Sequence, residues 1–151
     1  MAEEMDAREV REFLSEGTRT GKLAWVGPSG QPHVAPIWFV VDEGASHADA
    51  EAIEVVFNTG ADTAKGRAVR RDPRVSIVVD DERPPFAYVK LTGRVDISED
   101  LDEVRRWATR IGGRYMGADR AEEFGARNGV PGELLVRLRA TKVDGRRDIA
   151  G

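Results

Sequence analysis

The chain has 151 residues, 40% hydrophobic and 33% charged, with 23 Lys and Arg against 27 Asp and Glu, a net charge of −4, no cysteine and two histidines, His33 and His47. These counts suit one domain over residues 1–151 and exclude disulfide scaffolds, thiolate zinc sites, iron–sulfur sites and cysteine nucleophiles. Two histidines leave little for a metal site, so none is expected, and the acidic balance argues against a general nucleic-acid binder.

In chain order, Asp6 to Ser15 reads as a helix, with Val10, Phe13 and Leu14 at three- and four-residue spacing. The acidic start of the chain has no apolar run behind it, unlike a secretory signal. No stretch approaches the roughly 20 apolar residues that span a bilayer. A cytoplasmic protein without a membrane partner is expected. Strands are predicted over Thr18–Val26 and Pro32–Val41, joined by the turn Gly27-Pro-Ser-Gly30. The second strand is apolar on both faces. Val34, Pro36, Trp38 and Val40 lie on one, and Ala35, Ile37, Phe39 and Val41 on the other, so a core and a second cover are both expected.

Asp42 to Glu51, which holds His47, reads as a surface loop. Further strands are predicted at Ala52–Thr59, Val75–Val79, Phe86–Ile97 and Glu133–Val143. Helices are expected at Thr63–Arg71, Asp100–Ile111 and Asp119–Ala126. Six strands at regular spacing, separated mainly by turns, predict a mainly β, α+β fold: a six-stranded antiparallel barrel with peripheral helices.

The densest chemical signal is Asp62-Thr-Ala-Lys-Gly-Arg-Ala-Val-Arg-Arg-Asp-Pro-Arg74, with five basic residues against two acidic ones. Thr63 is a suitable helix N-cap, and Lys65 falls in the first turn. A hydroxyl, free amides and an ammonium together suit a phosphate. Arg67, Arg70 and Arg71 share a helix face and suit a second anionic group. Charge runs are also common on solvated helices, and that reading stands beside the first. His33 reads as a strand-end residue near the turn, and Trp25 and Trp38 as core or interface aromatics. Arg137 and Arg139 share a face of the last strand. No nucleophile elbow, Walker loop or dinucleotide fingerprint is present, and no catalytic side chain stands out.

The runs Gly30-Gln-Pro-His-Val-Ala-Pro-Ile-Trp-Phe39, Val56-Phe-Asn-Thr59, Thr63-Ala-Lys65, Arg70-Arg-Asp-Pro-Arg-Val-Ser76 and Tyr88-Val-Lys-Leu-Thr-Gly-Arg94 resemble the pyridoxamine 5′-phosphate oxidase-like, flavin-reductase-like split β-barrel superfamily. More narrowly they are similar to its branch of deazaflavin (coenzyme F420)-dependent reductases. The resemblance implies a homodimer with cofactor sites at the subunit interface. It implies that the hydroxyl and lysine of Thr63-Ala64-Lys65 bind the cofactor phosphate, and that Asn58 and Thr59 lie beside the ribityl–phosphate portion. Val34, Ala35 and Pro36 would run along the ring system, with Trp38 near that side. Flavin mononucleotide (FMN) oxidases of this superfamily typically carry arginine at the position of His33 and lysine at that of Trp38, both on the flavin. Their replacement favours F420 over FMN, and Arg67, Arg70 and Arg71 supply charge for its anionic tail. The implied activity is hydride transfer from reduced F420 to a small unsaturated or quinone-like acceptor. The alternatives are an FMN oxidoreductase and a non-enzymatic cofactor-binding protein.

Overall fold

Helix α1 (Ala7–Ser15) begins where Asp6 and Glu9 cap one another. The Asp6 carboxylate accepts the Glu9 N–H at 2.8 Å, and the Glu9 carboxylate accepts the Asp6 N–H at 3.4 Å. Val10, Phe13 and Leu14 are buried as their spacing predicts. The structure is a computed structural model and describes residues 2–151.

Eight strands follow one another as β1 (Glu3–Glu4), β2 (Gly21–Val26), β3 (Pro32–Ile37), β4 (Val40–Val41), β5 (Glu54–Gly60), β6 (Arg74–Asp81), β7 (Ala87–Ser98) and β8 (Glu133–Arg147). They form one antiparallel sheet in the order β3-β2-β6-β7-β8-β5-β4, with β1 on β8. Its two terminal strands, β3 and β4, are separated in the chain by Trp38 and Phe39 alone. Three Cα steps reach at most about 11 Å. A flat seven-strand order would hold its edges roughly 29 Å apart. The sheet must therefore curl until its edges nearly meet, and the core fills the resulting half-barrel. Leu23, Phe39, Val55, Phe57, Ile77, Val89, Leu91, Leu134, Val136 and Leu138 are among the buried side chains there.

Two expectations are corrected. Among the described residues the strand count is eight rather than six, because Pro32–Val41 is two strands rather than one and Glu3–Glu4 adds another. It changes sheet edges at Trp38-Phe39, and hydrogen bonding that leaves β2 resumes on β5. The alternation of side chains continues through the break, so periodicity alone does not reveal it. Its apolar faces also differ in fate: Ile37, Phe39 and Val41 are buried, whereas Val34 is 67% exposed and Trp38 38%.

Among the described residues four further helices complete the fold: α2 (Ala45–Ala48), α3 (Ala64–Arg71), α4 (Leu101–Met116) and α5 (Ala121–Asn128), with a 3₁₀ turn at Ala118–Arg120. Helix α4 covers the outer face of β5 and β8, where Val104 and Trp107 pack on Val56 and Leu135. It continues past Ile111, where it was expected to end, through Gly112-Gly113 to Met116. Gly112 serves contact rather than termination, since a Cβ there would lie 2.4 Å from the Phe124 Cβ of α5. Among the described residues no helix is long and apolar enough to cross a membrane.

Candidate functional site

Strand β5 ends at Asn58-Thr59-Gly60, and the chain turns at once into α3. Thr63 is the N-cap, as expected. Its hydroxyl donates to the Gly60 carbonyl at 2.7 Å and accepts the Gly66 N–H at 3.0 Å. With that proton committed, the Thr59 hydroxyl, 3.2 Å away, is the donor in the Thr59–Thr63 contact. The Thr63 hydroxyl is thus fully used within the chain. The outward-pointing groups of this first turn are the backbone N–H groups of Ala64 and Lys65, which a helix start leaves without intrahelical acceptors, and the Lys65 ammonium. The turn packs so closely on β5 that a Cβ at Gly66 would lie 2.0 Å from the Gly60 carbonyl oxygen. Only glycine fits there.

Lys65 lines a cavity of about 290 Å³ together with Pro36 and Ile37 of β3, Trp38 of the crossover, Asn58 of β5, Ile111 of α4 and Asn128 of α5. Lys65 has no ion-pair or hydrogen-bond partner among the described residues. The other cations of the segment do. Arg67 donates to the Asp62 carbonyl, Arg70 pairs with Glu99, Arg71 donates to the Val26 carbonyl at 3.2 Å, and Arg74 forks onto Asp72 at 2.7 and 3.0 Å. The helix is therefore mostly a locally paired basic surface with one uncommitted charge, on Lys65.

The remaining residues singled out from the sequence separate into two groups. Pro36, Trp38 and Asn58 share the Lys65 cavity. His33 lies exposed, stacked on buried Trp25 at 5.6 Å between ring centroids. Val34 is exposed and Ala35 half-buried, and neither they nor His33 line that cavity. Thr59 is buried behind Thr63. Arg137 pairs with Asp42 and Glu54, and Arg139 with Asp96.

Two residues beyond the expected end of α4 hold the crossover in place. Tyr115 lies flat against Trp38, with ring centroids 5.0 Å apart and planes 3° from parallel. The Tyr115 hydroxyl donates to the Arg19 carbonyl at 2.8 Å and accepts the Phe39 N–H at 3.2 Å. Burial raises the pKa of this phenol, so it stays protonated. Arg114 donates to the carbonyls of Gly17, Phe39 and Leu14 at 3.0, 2.8 and 2.7 Å. These residues fix the wall of the site.

Unmet hydrogen-bonding capacity lies in the lining of the site at Asn58 and outside that lining at Glu133. Asn58 Nδ2 and Glu133 Oε2 are buried without a partner. Burial pushes the Glu133 carboxyl above its ordinary range. A larger cavity of about 600 Å³ lies along α4, lined by Val40, Asp42, Trp107, Arg110 and Arg114 among others. Volume does not make it the better candidate. It includes none of the residues singled out as cofactor ligands, whereas the smaller cavity joins a free ammonium to an amide without partners.

A family model described as pyridoxamine 5′-phosphate oxidase matches residues 7–147. The chain belongs to this family. The pyridoxamine 5′-phosphate oxidase-like split barrel also accounts for the curled sheet. A conserved hypothetical protein of Mycobacterium tuberculosis is 27% identical, with 97% of this chain and 89% of that one covered and a TM-score of 0.81. A protein named as an F420 reductase is 26% identical, with 87% and 94% covered and a TM-score of 0.65. A FAD-binding protein of Mesorhizobium loti is 20% identical, with 97% of each chain covered and a TM-score of 0.67, a likeness of fold alone. No curated protein sequence matches this family member. Among the described residues no group of three or more metal-ligating side chains occurs.

Proposed function

We propose that this protein is a reductase that binds coenzyme F420 and passes a hydride to a small unsaturated or quinone-like acceptor. The observation that carries the reading is the uncommitted Lys65 at the start of α3, beside the partnerless amide of Asn58. Lys65 and the N–H groups of Ala64 and Lys65 suit a phosphate, and Asn58 suits the chain attached to it. The similarity to an F420 reductase supports the choice of cofactor. So does the absence of the arginine and lysine that flavin oxidases of this superfamily carry at the positions of His33 and Trp38.

Bound in its reduced form, the deazaflavin supplies a hydride. The chain's own residues anchor the phosphate at Lys65, hold the Trp38 ring against Tyr115 as a flat wall, and exclude water behind it. A cavity of 290 Å³ sits at the lower limit for small-molecule sites and suits the phosphate end of the cofactor rather than its ring system. Trp38, which lines it, and Val34, outside it, both leave apolar surface exposed. A second copy of the chain, covering that apolar strip, would complete the pocket, so the working form is a homodimer.

Titration of the purified protein with F420 and with FMN, followed by absorbance and fluorescence, tests the reading. F420 should bind more tightly. Lys65→Ala should weaken it by about 1.5–3 kcal/mol, as expected for a lost charge-assisted hydrogen bond, without lowering thermal stability. Tighter binding of FMN would overturn the choice of cofactor. An unchanged affinity in Lys65→Ala would remove Lys65 from the site. Tight F420 binding with no turnover of any quinone would make the protein a carrier instead.

A further inference from the structure

The larger cavity, of about 600 Å³, falls within the size range of small-molecule sites and shares no lining residue with the one at Lys65. Helix α4 lines both. Ile111 belongs to the smaller cavity, and Trp107, Arg110 and Arg114 belong to the larger. The last three recur at three- and four-residue spacing, so they share one face of the helix. Strand β4 and the turn after it contribute Val40 to Gly44.

The charges of this lining are unevenly matched. Two guanidinium groups lie over the Trp107 ring, that of Arg137 at 5.2 Å and that of Arg110 at 4.7 Å from its centroid. Arg137 is paired with Asp42 and Glu54. Arg110 has no ion pair or hydrogen bond among the described residues, and the indole alone holds it. Arg114 is half-buried, and its three bonds all go to neutral carbonyls. Those bonds use three of its five N–H donors. Burial lowers its pKa, and no carboxylate acts against that.

A further donor in the same lining, Trp107 Nε1, is buried without an acceptor. On the acidic side, Asp42 is committed to Arg137 and to the Gly44 N–H. Only the exposed Glu43 carboxylate is without a partner among the described residues. Two cations without an acid and one donor without an acceptor thus stand against one exposed carboxylate. The lining calls for acceptor oxygens that carry a negative charge. A planar carboxylate matches a guanidinium fork. Val40, Val41 and Trp107 offer apolar surface for the rest of such a ligand, and the nearby Glu43 disfavours a dianion more than a monoanion.

We propose that the cavity between α4 and β4 is a second ligand site, which takes a monocarboxylate with an apolar body through Arg110 and Arg114. It does not rest on the reading of Lys65 as a phosphate anchor.

Calorimetric titration of the full chain with 2-naphthoate and with its uncharged counterpart 2-naphthamide tests it. The carboxylate should bind the wild-type chain at least about tenfold more tightly, the scale of one hydrogen bond between charged groups. Arg110→Met keeps the apolar stem and removes the charge. It should abolish most of that advantage and leave 2-naphthamide within about twofold. Lys65→Ala should leave both probes unchanged. Equal binding of the two probes, no binding of 2-naphthoate, or an unchanged affinity in Arg110→Met would each overturn the proposal. A loss in Lys65→Ala in place of Arg110→Met would put the carboxylate in the smaller cavity and overturn it as well. Inorganic phosphate that binds as tightly as 2-naphthoate, with the same dependence on Arg110, would overturn the role of the apolar body. Should Arg110→Met not fold, the Trp107 indole N–H resonance of the wild-type protein decides. It should move on addition of 2-naphthoate, and an unmoved resonance would overturn the site.

Discussion

Trp38 and Tyr115 form a parallel stack, 5.0 Å between centroids, that joins the crossover of the sheet to the last turn of α4. The indole is not held by the barrel, which is why it stays 38% exposed although its neighbours Ile37 and Phe39 are buried. Its orientation depends on a helix more than 70 residues later in the chain. The cavity beside Lys65 inherits that dependence.

Tyr115→Phe keeps the stack but removes the hydroxyl that serves both the Phe39 N–H and the Arg19 carbonyl. Leaving such part-buried groups unpaired costs about 1–3 kcal/mol. Urea unfolding should show a lower midpoint with an unchanged slope.

Gly66→Ala is a case where helix propensity and packing oppose each other. Alanine gains about 1 kcal/mol over glycine in a helix interior. Here its Cβ would lie 2.0 Å from the Gly60 carbonyl oxygen, and overpacking of this kind costs about 1–3 kcal/mol or more. The substitution should destabilise the protein in denaturant titrations and displace the start of α3, with loss of phosphate binding.

Thr63→Val should cost about 0.5–2 kcal/mol as a lost N-cap, measured by thermal unfolding, whereas Thr63→Ser should be nearly neutral. The Thr63 hydroxyl makes its bonds within the chain. Thr63→Ser should therefore leave cofactor affinity unchanged.

Hydrogen bonds from Arg83 hold the Asp81 carboxyl at about 2, and hydrogen bonds from Arg74 do the same for Asp72, against an ordinary value of 3.8. Depressed acids contribute stability that is present above their unfolded pKa and lost as pH falls through the folded value. Acid unfolding should steepen between about pH 4 and pH 2. Asp81→Asn should be less stable than wild type at pH 7, follow a shallower acid limb, and converge with wild type below pH 2.

Most elements were legible because their side chains alternate or recur with a clear period. Val10, Phe13 and Leu14 announce α1, and Thr63 announces the start of α3. Others lacked such a signal. Strand β1 is two glutamates paired to Arg146 and Arg147, a polar ladder without apolar periodicity. The crossover at Trp38-Phe39 preserves alternation, so only the hydrogen-bonding partners reveal it. The Gly112-Gly113 pair mimics a helix end, and that hid Arg114 and Tyr115 from the reading of the site. Within the site, the sequence marked Lys65 and Asn58 through spacing and resemblance. It could not show that Glu133, outside the cavity lining, is buried with an unpaired carboxyl oxygen. Nor could it show that Arg67, Arg70 and Arg71 are each bound locally.

The Phe39 amide proton belongs to a side chain of α4 and not to a strand. Its exchange with deuterated solvent therefore follows the departure of that helix, while the amides paired between β5 and β8 follow the opening of the barrel. If helix departure needs less free energy than barrel opening, Phe39 will lose its label-free signal first, and one backbone proton will time the opening of the pocket wall independently of any ligand.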